Sequence, residues 1–355
     1  MSHATVLPLS PARAGASPRT VAIVGATGAV GAELVDQLER RNFPVGELRL
    51  LASPRSAGRS MTFRGRPVPV QAVDDNAFAG VDIAFFSAGA EVSRRYASAA
   101  AAAGALVVDN SSAFRMDPDT PLVVPEVNGR TLEGHTGIIA NPNCVAVVAV
   151  MALGPLHRAI PIRRVTAATY QAASGGGAAA MEELRASTEA HLAGRPYANR
   201  VLKHPYAFNL FSHDTPVDAA TGYNGEETKV MREIRRILGA RELHVGVTCV
   251  RVPVLRAHAM ALTVEFHGEM TPARARELLG AAPGVRLVDD AETNHFPMPS
   301  EASGRDEVLV GRIRRDLGDP SGRSLALFAV GDQLLKGAAL NAVQIAEHLL
   351  AGARC

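Results

Sequence analysis

The sequence predicts an α/β protein of two domains, a doubly wound N-terminal domain followed by an α+β domain built on a mixed sheet. Strand-like and helix-like runs alternate from Val21 to Ala140, the pattern of a parallel sheet with crossover helices. Beyond Leu153 the pattern changes, and Arg163–Gln171 alternates apolar with polar or small residues as an antiparallel strand does. The 355 residues exceed one ordinary domain and suffice for two cores.

Thr20–Val24 reads as the first strand, and Gly25-Ala26-Thr27-Gly28-Ala29-Val30-Gly31 follows it at once. Glu33, Leu34, Val35, Leu38 and Glu39 then continue at helical spacing. A glycine turn between a strand and a helix offers backbone N–H groups and a helix N-terminus to a phosphate, so this Rossmann-like arrangement predicts dinucleotide binding. Its spacing, GxxGxxG, differs from the commonest dinucleotide fingerprint. The next strand, Glu47–Ala52, ends in Ser53-Pro54-Arg55-Ser56 with no acid to receive a ribose hydroxyl. Arg55 between Ser53 and Ser56 suits a 2′-phosphate, which favours NADP over NAD.

Strands are expected over Val68–Val73, Val81–Phe86 and Leu106–Asp109, with an alanine-rich helix over Val92–Ala103. After the short apolar piece Gly137–Ala140 comes Asn141-Pro142-Asn143-Cys144, then the uncharged run Val145–Leu153 of helical length. A cysteine where a tight turn enters a helix meets the free N–H groups and positive dipole end of the first turn, conditions that favour a thiolate nucleophile. The alternative is a buried inert cysteine. Further on, helices are expected over Ala178–Leu192, Glu226–Leu238, Pro272–Leu279 and Leu334–Leu350. Leu243–Val254 and Ala257–His267 read as paired strands, with more strands at Val308–Arg314 and Leu325–Gly331. Residues 194–225 show neither period and are too long for a simple connection, which marks an active-site or subunit-contact segment.

Composition narrows the function classes. With 47% apolar and 20% charged residues the chain is of ordinary globular type, and a net charge of +2 argues against nucleic-acid binding. Cys144, Cys249 and Cys355 are too scattered for a disulfide framework or metal ligation, so a reducing, cytoplasmic setting and no metal are expected. Residues 1–20 read as a loose tail without a signal-peptide core. No uninterrupted apolar stretch approaches the roughly 18 residues of a membrane span.

Taken together, VAIVGATGAVG, LASPRSAG, VVDNSSAFRM, VVPEVN, NPNC, TYQAASG, GEETKV, RVPVLRAHA, FPMP, VGRIRRD and LLKGAALNAVQIAE stand in an order that strongly resembles the aspartate-semialdehyde dehydrogenase family, over nearly everything from Val21 to Gly352. The resemblance implies the NADPH-dependent, reversible reductive dephosphorylation of L-aspartyl 4-phosphate to L-aspartate 4-semialdehyde. That reaction lies on the route to lysine, threonine, methionine and diaminopimelate. It also implies a homodimer or homotetramer joined largely by the second domain. Residues 338–355 would join 21–144 as the NADP-binding domain, leaving 145–337 for catalysis and dimerisation.

By the same resemblance Cys144 is the nucleophile that carries a thioester, and His258 the acid/base. Arg251 grips the substrate α-carboxylate, Glu226 meets its ammonium, and Gln171 orients the acyl group. Arg115 and Lys229 bind phosphate. Gly25, Thr27, Gly28, Ala29, Val30 and Gly31 hold the pyrophosphate, Ser53, Arg55 and Ser56 the adenosine phosphate, and Gly175 and Asn341 lie near the nicotinamide. Asn143 is expected to donate to the developing oxyanion. Gly331-Asp332-Gln333 departs from the more frequent serine-aspartate-asparagine wording. The nearest rival is N-acetylglutamyl-phosphate reductase; glyceraldehyde-phosphate dehydrogenase fits less well, and a silent nucleotide-binding scaffold is the non-enzymatic alternative.

Overall fold

In a computed structural model the chain is described over residues 17–135 and 137–352. It divides into two units, residues 1–142 with 338–355 and residues 143–337. The first strand begins at Arg19, inside the tail expected over residues 1–20, because Asp82 anchors it. Asp82 accepts the Thr20 N–H at 2.8 Å and pairs with Arg19 at 3.3 Å. The rest of that tail, through residue 16, lies outside the described residues, as does Cys355.

The first unit is a seven-stranded sheet in the order β3-β4-β2-β1-β5-β6-β7. Its strands are β1 (Arg19–Val24), β2 (Val45–Ala52), β3 (Ser60–Phe63), β4 (Arg66–Ala72), β5 (Ile83–Phe86), β6 (Leu106–Asp109) and β7 (Ile138–Ala140). All pairings are parallel except the β3–β4 hairpin, whose first strand the sequence reading missed. Helices α1 (Ala29–Arg40) and α2 (Ala90–Ala102) connect strands, α3 (Pro125–Asn128) is a single turn, and the C-terminal helix Leu340–Gly352 returns to this unit.

The uninterrupted apolar runs reflect burial on both faces of the sheet. Along β1, Val21 and Ile23 join a core with Leu34 and Leu38 of α1 and Val343 and Ile345 of the C-terminal helix. Their neighbours Ala22 and Val24 point the other way, onto Tyr96, Ala97 and Ala100 of α2. Each fully buried valine or isoleucine contributes on the order of 1.5–3 kcal/mol, so a polar residue anywhere in Val21–Val24 would disrupt one core or the other. The sheet order reverses at β1 and β5, and the turn Gly25–Gly31 leaves the carboxyl end of β1 at that switch point.

The second unit opens with α4 (Cys144–Ala159), which extends six residues past the apolar run, since Pro155 is tolerated within it. Its strands are β8 (Ile162–Gln171), β9 (Phe211–Ser212), β10 (His244–Arg251), β11 (His258–Phe266), β12 (Val285–Leu287), β13 (Val308–Arg315) and β14 (Ser324–Gly331), in the order β12-β13-β14-β11-β8-β10-β9. β10 and β11 do not pair with each other, contrary to expectation. β8 lies between them, parallel to β10 and antiparallel to β11. Helices α5 (Gly177–Leu192), α6 (Gly225–Ile237), α7 (Pro272–Gly280) and the single turn α8 (Pro299–Ala302) complete the unit. Helices α4, α6 and α7 pack on the sheet. On β8, Thr166 and Tyr170 remain exposed between buried neighbours, and Tyr170 meets the Phe328 ring of β14 at 6.2 Å. The expected terminal helix breaks at its start, where Leu335–Ala339 winds as a π turn.

No helix among the described residues is long and apolar enough to cross a membrane, and no group of three or more His, Cys, Asp or Glu among them could hold a metal ion.

Candidate active site

The turn after β1 is shaped by two close approaches. Gly25 has φ of 89°, and a Cβ there would lie 2.8 Å from the Ser87 backbone at the end of β5. At Gly31 a Cβ would come within 2.2 Å of the Gly25 carbonyl, so α1 can start this close to the turn only with glycine. No side chain caps α1 at Gly28. The first-turn N–H groups of Ala29, Val30 and Gly31 therefore have no side-chain acceptor from the cap, as a pyrophosphate cradle requires. Thr27 Oγ1 donates to Ser56 Oγ at 3.4 Å, which brings the 53–56 loop against this turn. Ser53 and Arg55 are exposed beside it, and no acid stands between Ser53 and Gly58. The cradle and the exposed guanidinium thus fit a phosphorylated dinucleotide.

Arg115 is also in the first unit. It is buried, with Nε donating to Asn141 O at 2.9 Å and Nη2 to Asn110 O at 2.7 Å. Asn341 is fully buried there, and its amide donates to Val123 O at 2.9 Å and Asn141 Oδ1 at 2.6 Å. Asn341 thus braces the interior of this unit.

In the second unit Cys144 is the first residue of α4 and only partly buried. A side chain at Gly337 would put its Cβ 2.9 Å from that of Cys144, so a glycine is needed for the close packing. Asn143 caps the helix: its Oδ1 accepts from the N–H groups of Val145 at 2.9 Å and Ala146 at 3.2 Å. Its own N–H donates to Glu233 at 2.5 Å, and its Nδ2 donates to Glu226 at 2.9 Å. Asn143 thus fixes both the helix start and the Glu226 carboxylate.

Glu226 also accepts from Gln171 Nε2 at 3.3 Å, and Lys229 Nζ stands 3.9 Å away. Burial pushes its carboxyl up, but His213, the Asn143 hydrogen bond, Lys229 and Gln171 outweigh burial and hold it below the usual range. Its neighbour Glu227 serves the backbone instead. It forms a capping box with Asn224 and accepts the Cys249 N–H at 3.0 Å. Glu226 is thereby released from capping to face the cluster around Asn143. Cys249 is buried in β10, and burial pushes its thiol up to about 12, which keeps it inert.

Arg251, at the end of β10, and His258, at the start of β11, meet at Gly175. A Cβ on Gly175 would lie 2.9 Å from His258 Cε1 and Nε2 and 3.1 Å from Arg251 Nη1. Arg251 reaches Ala172 O at 3.5 Å and Asp214 at 3.8 Å, while its Nε is buried without a protein partner. His258 is fully buried; burial, the Arg251 guanidinium and His213 push its imidazole down to about 3.

The structure thus brings Asn143, Gln171, Gly175, Glu226, Lys229, Arg251 and His258 into one connected cluster with the start of α4. The sequence reading missed four members. Glu233 follows Glu226 by seven residues, two helical turns along the same face, and that spacing was a usable signal. His213 and Asp214 sit in the aperiodic 194–225 segment, where no pattern marks them. Gln333 accepts the Ala257 N–H at 3.1 Å and donates to Ser174 Oγ, tying both sides of the His258 seat.

Similarity to known proteins gives the family. Residues 20–135 match the model of the semialdehyde dehydrogenase NAD binding domain, and residues 153–336 that of the semialdehyde dehydrogenase dimerisation domain. The chain is 52% identical to the aspartate-semialdehyde dehydrogenase of Synechocystis over 94% of its length and 98% of the relative's. It is 45% identical to the Bacillus subtilis enzyme of that name, covering 93% and 96%. Among solved structures, aspartate semialdehyde dehydrogenase II of Vibrio cholerae complexed with ASA superposes with a TM-score of 0.90 at 41% identity, covering 94% of this chain and 99% of that one. With both domain models in order along the chain and relatives matched over nearly their full length, the chain belongs to the aspartate-semialdehyde dehydrogenase family.

Proposed function

We propose that this protein reduces L-aspartyl 4-phosphate with NADPH to L-aspartate 4-semialdehyde and phosphate, reversibly, through a thioester on Cys144. The observation that carries the reading is the buried charge pattern next to the start of α4. Glu226, held anionic, and Arg251, with a donor unpartnered, complement the ammonium and α-carboxylate of an aspartyl group. Between them, Gln171 orients the acyl group and Cys144 attacks its carbon from the positive end of α4. Arg115 and Lys229 bind the departing phosphate. NADPH, when bound, supplies the hydride. Gly25, Thr27, Gly28, Ala29, Val30 and Gly31 cradle its pyrophosphate, with Ser53, Arg55 and Ser56 at the 2′-phosphate.

The reaction belongs to amino-acid biosynthesis in the cytoplasm. The protein works as a homodimer or homotetramer, and the partly exposed sheet face bearing Tyr170 and Phe328 is the surface we assign to the subunit contact. An acetylated glutamyl substrate has no ammonium for Glu226, which disfavours the N-acetylglutamyl-phosphate reductase reading. Purified protein given aspartate semialdehyde, phosphate and NADP⁺ is expected to produce NADPH, and to produce none with N-acetylglutamate semialdehyde. The reverse preference would establish the rival, and no NADPH with either would establish a silent scaffold.

A further inference from the structure

Tyr206 lies in the aperiodic 194–225 segment and is fully buried. Its side chain packs with Ala180 and Leu184 of α5 and with Ala173, and it meets the Phe211 ring edge-on at 5.5 Å between centroids. Phe211, in β9, stands directly opposite Arg251 of β10 in an antiparallel pair. Opposite residues of such a pair send their side chains to the same face, so the ring that Tyr206 touches lies beside the Arg251 guanidinium. The link recurs on the other side: Ala173 borders the phenol, and the carbonyl of its neighbour Ala172 receives Arg251 Nη1 at 3.5 Å.

This placement leaves two donors without acceptors. The Tyr206 hydroxyl and Arg251 Nε are both buried, and neither has a hydrogen-bond partner among the described residues. A hydroxyl buried among apolar side chains is destabilising unless something bonds it, and phenylalanine would fill the same space without that cost. The hydroxyl also senses the charges nearby: burial pushes the phenol up to about 12, the Arg251 guanidinium opposes that rise and Asp214 adds to it. It therefore keeps its proton at working pH and remains a donor. Asp214 approaches Arg251 Nη2 only to 3.8 Å and bonds neither donor. An N–H of a guanidinium and an O–H of a phenol, side by side, are completed by an anionic oxygen.

We propose that Tyr206 is a substrate-binding residue, whose hydroxyl donates to the α-carboxylate of the aspartyl group beside Arg251 Nε–H. This rests on the reaction proposed above. The phenol adds a second kind of donor to a subsite that a guanidinium alone would hold by charge and shape. No bond to the α-carboxylate is made or broken during the reaction, so the contact is equal in the ground state and the transition state. Its loss therefore appears in KM and leaves kcat alone.

Tyr206→Phe tests this, with steady-state kinetics on aspartate semialdehyde, phosphate and NADP⁺ beside calorimetric titration with two stable probes. L-Aspartate carries the α-carboxylate and ammonium and needs no turnover; β-alanine is the same molecule without the α-carboxylate. KM for aspartate semialdehyde and Kd for L-aspartate are expected to rise about tenfold, the size of one hydrogen bond to a charged group. Over the same change kcat should stay within about twofold, β-alanine should behave alike in the two proteins, and the thermal midpoint should hold or rise. If KM and Kd stayed within about twofold of wild type, the proposal would be overturned and the hydroxyl would serve only a buried water. An equal weakening of β-alanine, or a fall in kcat matching that in kcat/KM, would overturn it as well, because the substitution would then disturb the site as a whole. Wild type that binds L-aspartate through Tyr206 but forms no NADPH would instead overturn the reaction assigned above and leave the carboxylate contact established. Wild type that neither binds L-aspartate nor oxidises the semialdehyde would overturn both.

Discussion

The side-chain amide of Asn143 donates to Glu226 at 2.9 Å while its carbonyl oxygen accepts from the first turn of α4. One residue therefore sets both the start of the helix that begins at Cys144 and the direction of the carboxylate assigned to the substrate ammonium. Asn143→Asp keeps the cap acceptor but replaces the donor with a charge facing Glu226. Its KM for aspartate semialdehyde is expected to rise about tenfold or more, with a small change in thermal midpoint. Asn143→Ala loses the cap as well and should cost about 1 kcal/mol of stability. Steady-state kinetics beside thermal unfolding separates the two effects, and an unchanged KM in Asn143→Asp would count against the role of Glu226.

Adjacent acids on α6 make a sharper contrast. Glu226→Gln should raise KM for aspartate semialdehyde about tenfold to a hundredfold and leave the unfolding midpoint nearly unchanged. Glu227→Ala breaks the capping box and strands the Cys249 N–H, so it should lower stability by about 1–3 kcal/mol with little effect on KM. Exchange of these phenotypes would show that the two carboxylates have been assigned the wrong way round.

Much of this was legible because local sequence and tertiary role coincide. Val21–Val24 is apolar at every position because β1 is buried on both faces, and Gly25 and Gly31 stand where no side chain fits. The sequence pattern could not separate Glu226 from Glu227, since the choice depends on which partner arrives from a distant strand or helix. His213, Asp214 and Gln333 were missed for the same reason. β3 and β12 escaped notice because strands of four and three residues are too short to show a period.

Acid stability provides an independent readout of the His258 environment. Burial, with the Arg251 guanidinium and His213, pushes this imidazole from its ordinary 6.5 down to about 3. Between those values the unfolded chain binds a proton that the folded chain excludes. The contribution of His258 is therefore intact above pH 6.5 and is lost as the pH falls toward 3, at about 1.4 kcal/mol per unit. Urea unfolding of wild type between about pH 7 and about pH 5 should show a loss of about 2 kcal/mol from this group that is missing in His258→Gln. Parallel pH profiles for the two proteins would mean that the ring is solvated and titrates normally.

Gln333 links the two segments that seat the histidine. Its Oε1 accepts the N–H of Ala257, a residue held at φ of 73°, and its Nε2 donates to Ser174 Oγ beside Gly175. A left-handed non-glycine residue directly before His258 costs about 1 kcal/mol or more and persists only where its surroundings hold it. Gln333→Leu removes both partners from buried groups, so stability should fall by about 1–3 kcal/mol. Because the histidine would also lose its fixed position, kcat should fall about tenfold or more, with KM for aspartate semialdehyde changed less than twofold. Ala257→Gly relieves the strained φ and is expected to restore part of the stability of Gln333→Leu but none of its kcat. If stability and kcat recovered together, Gln333 would be a structural brace alone, with no part in aiming the ring.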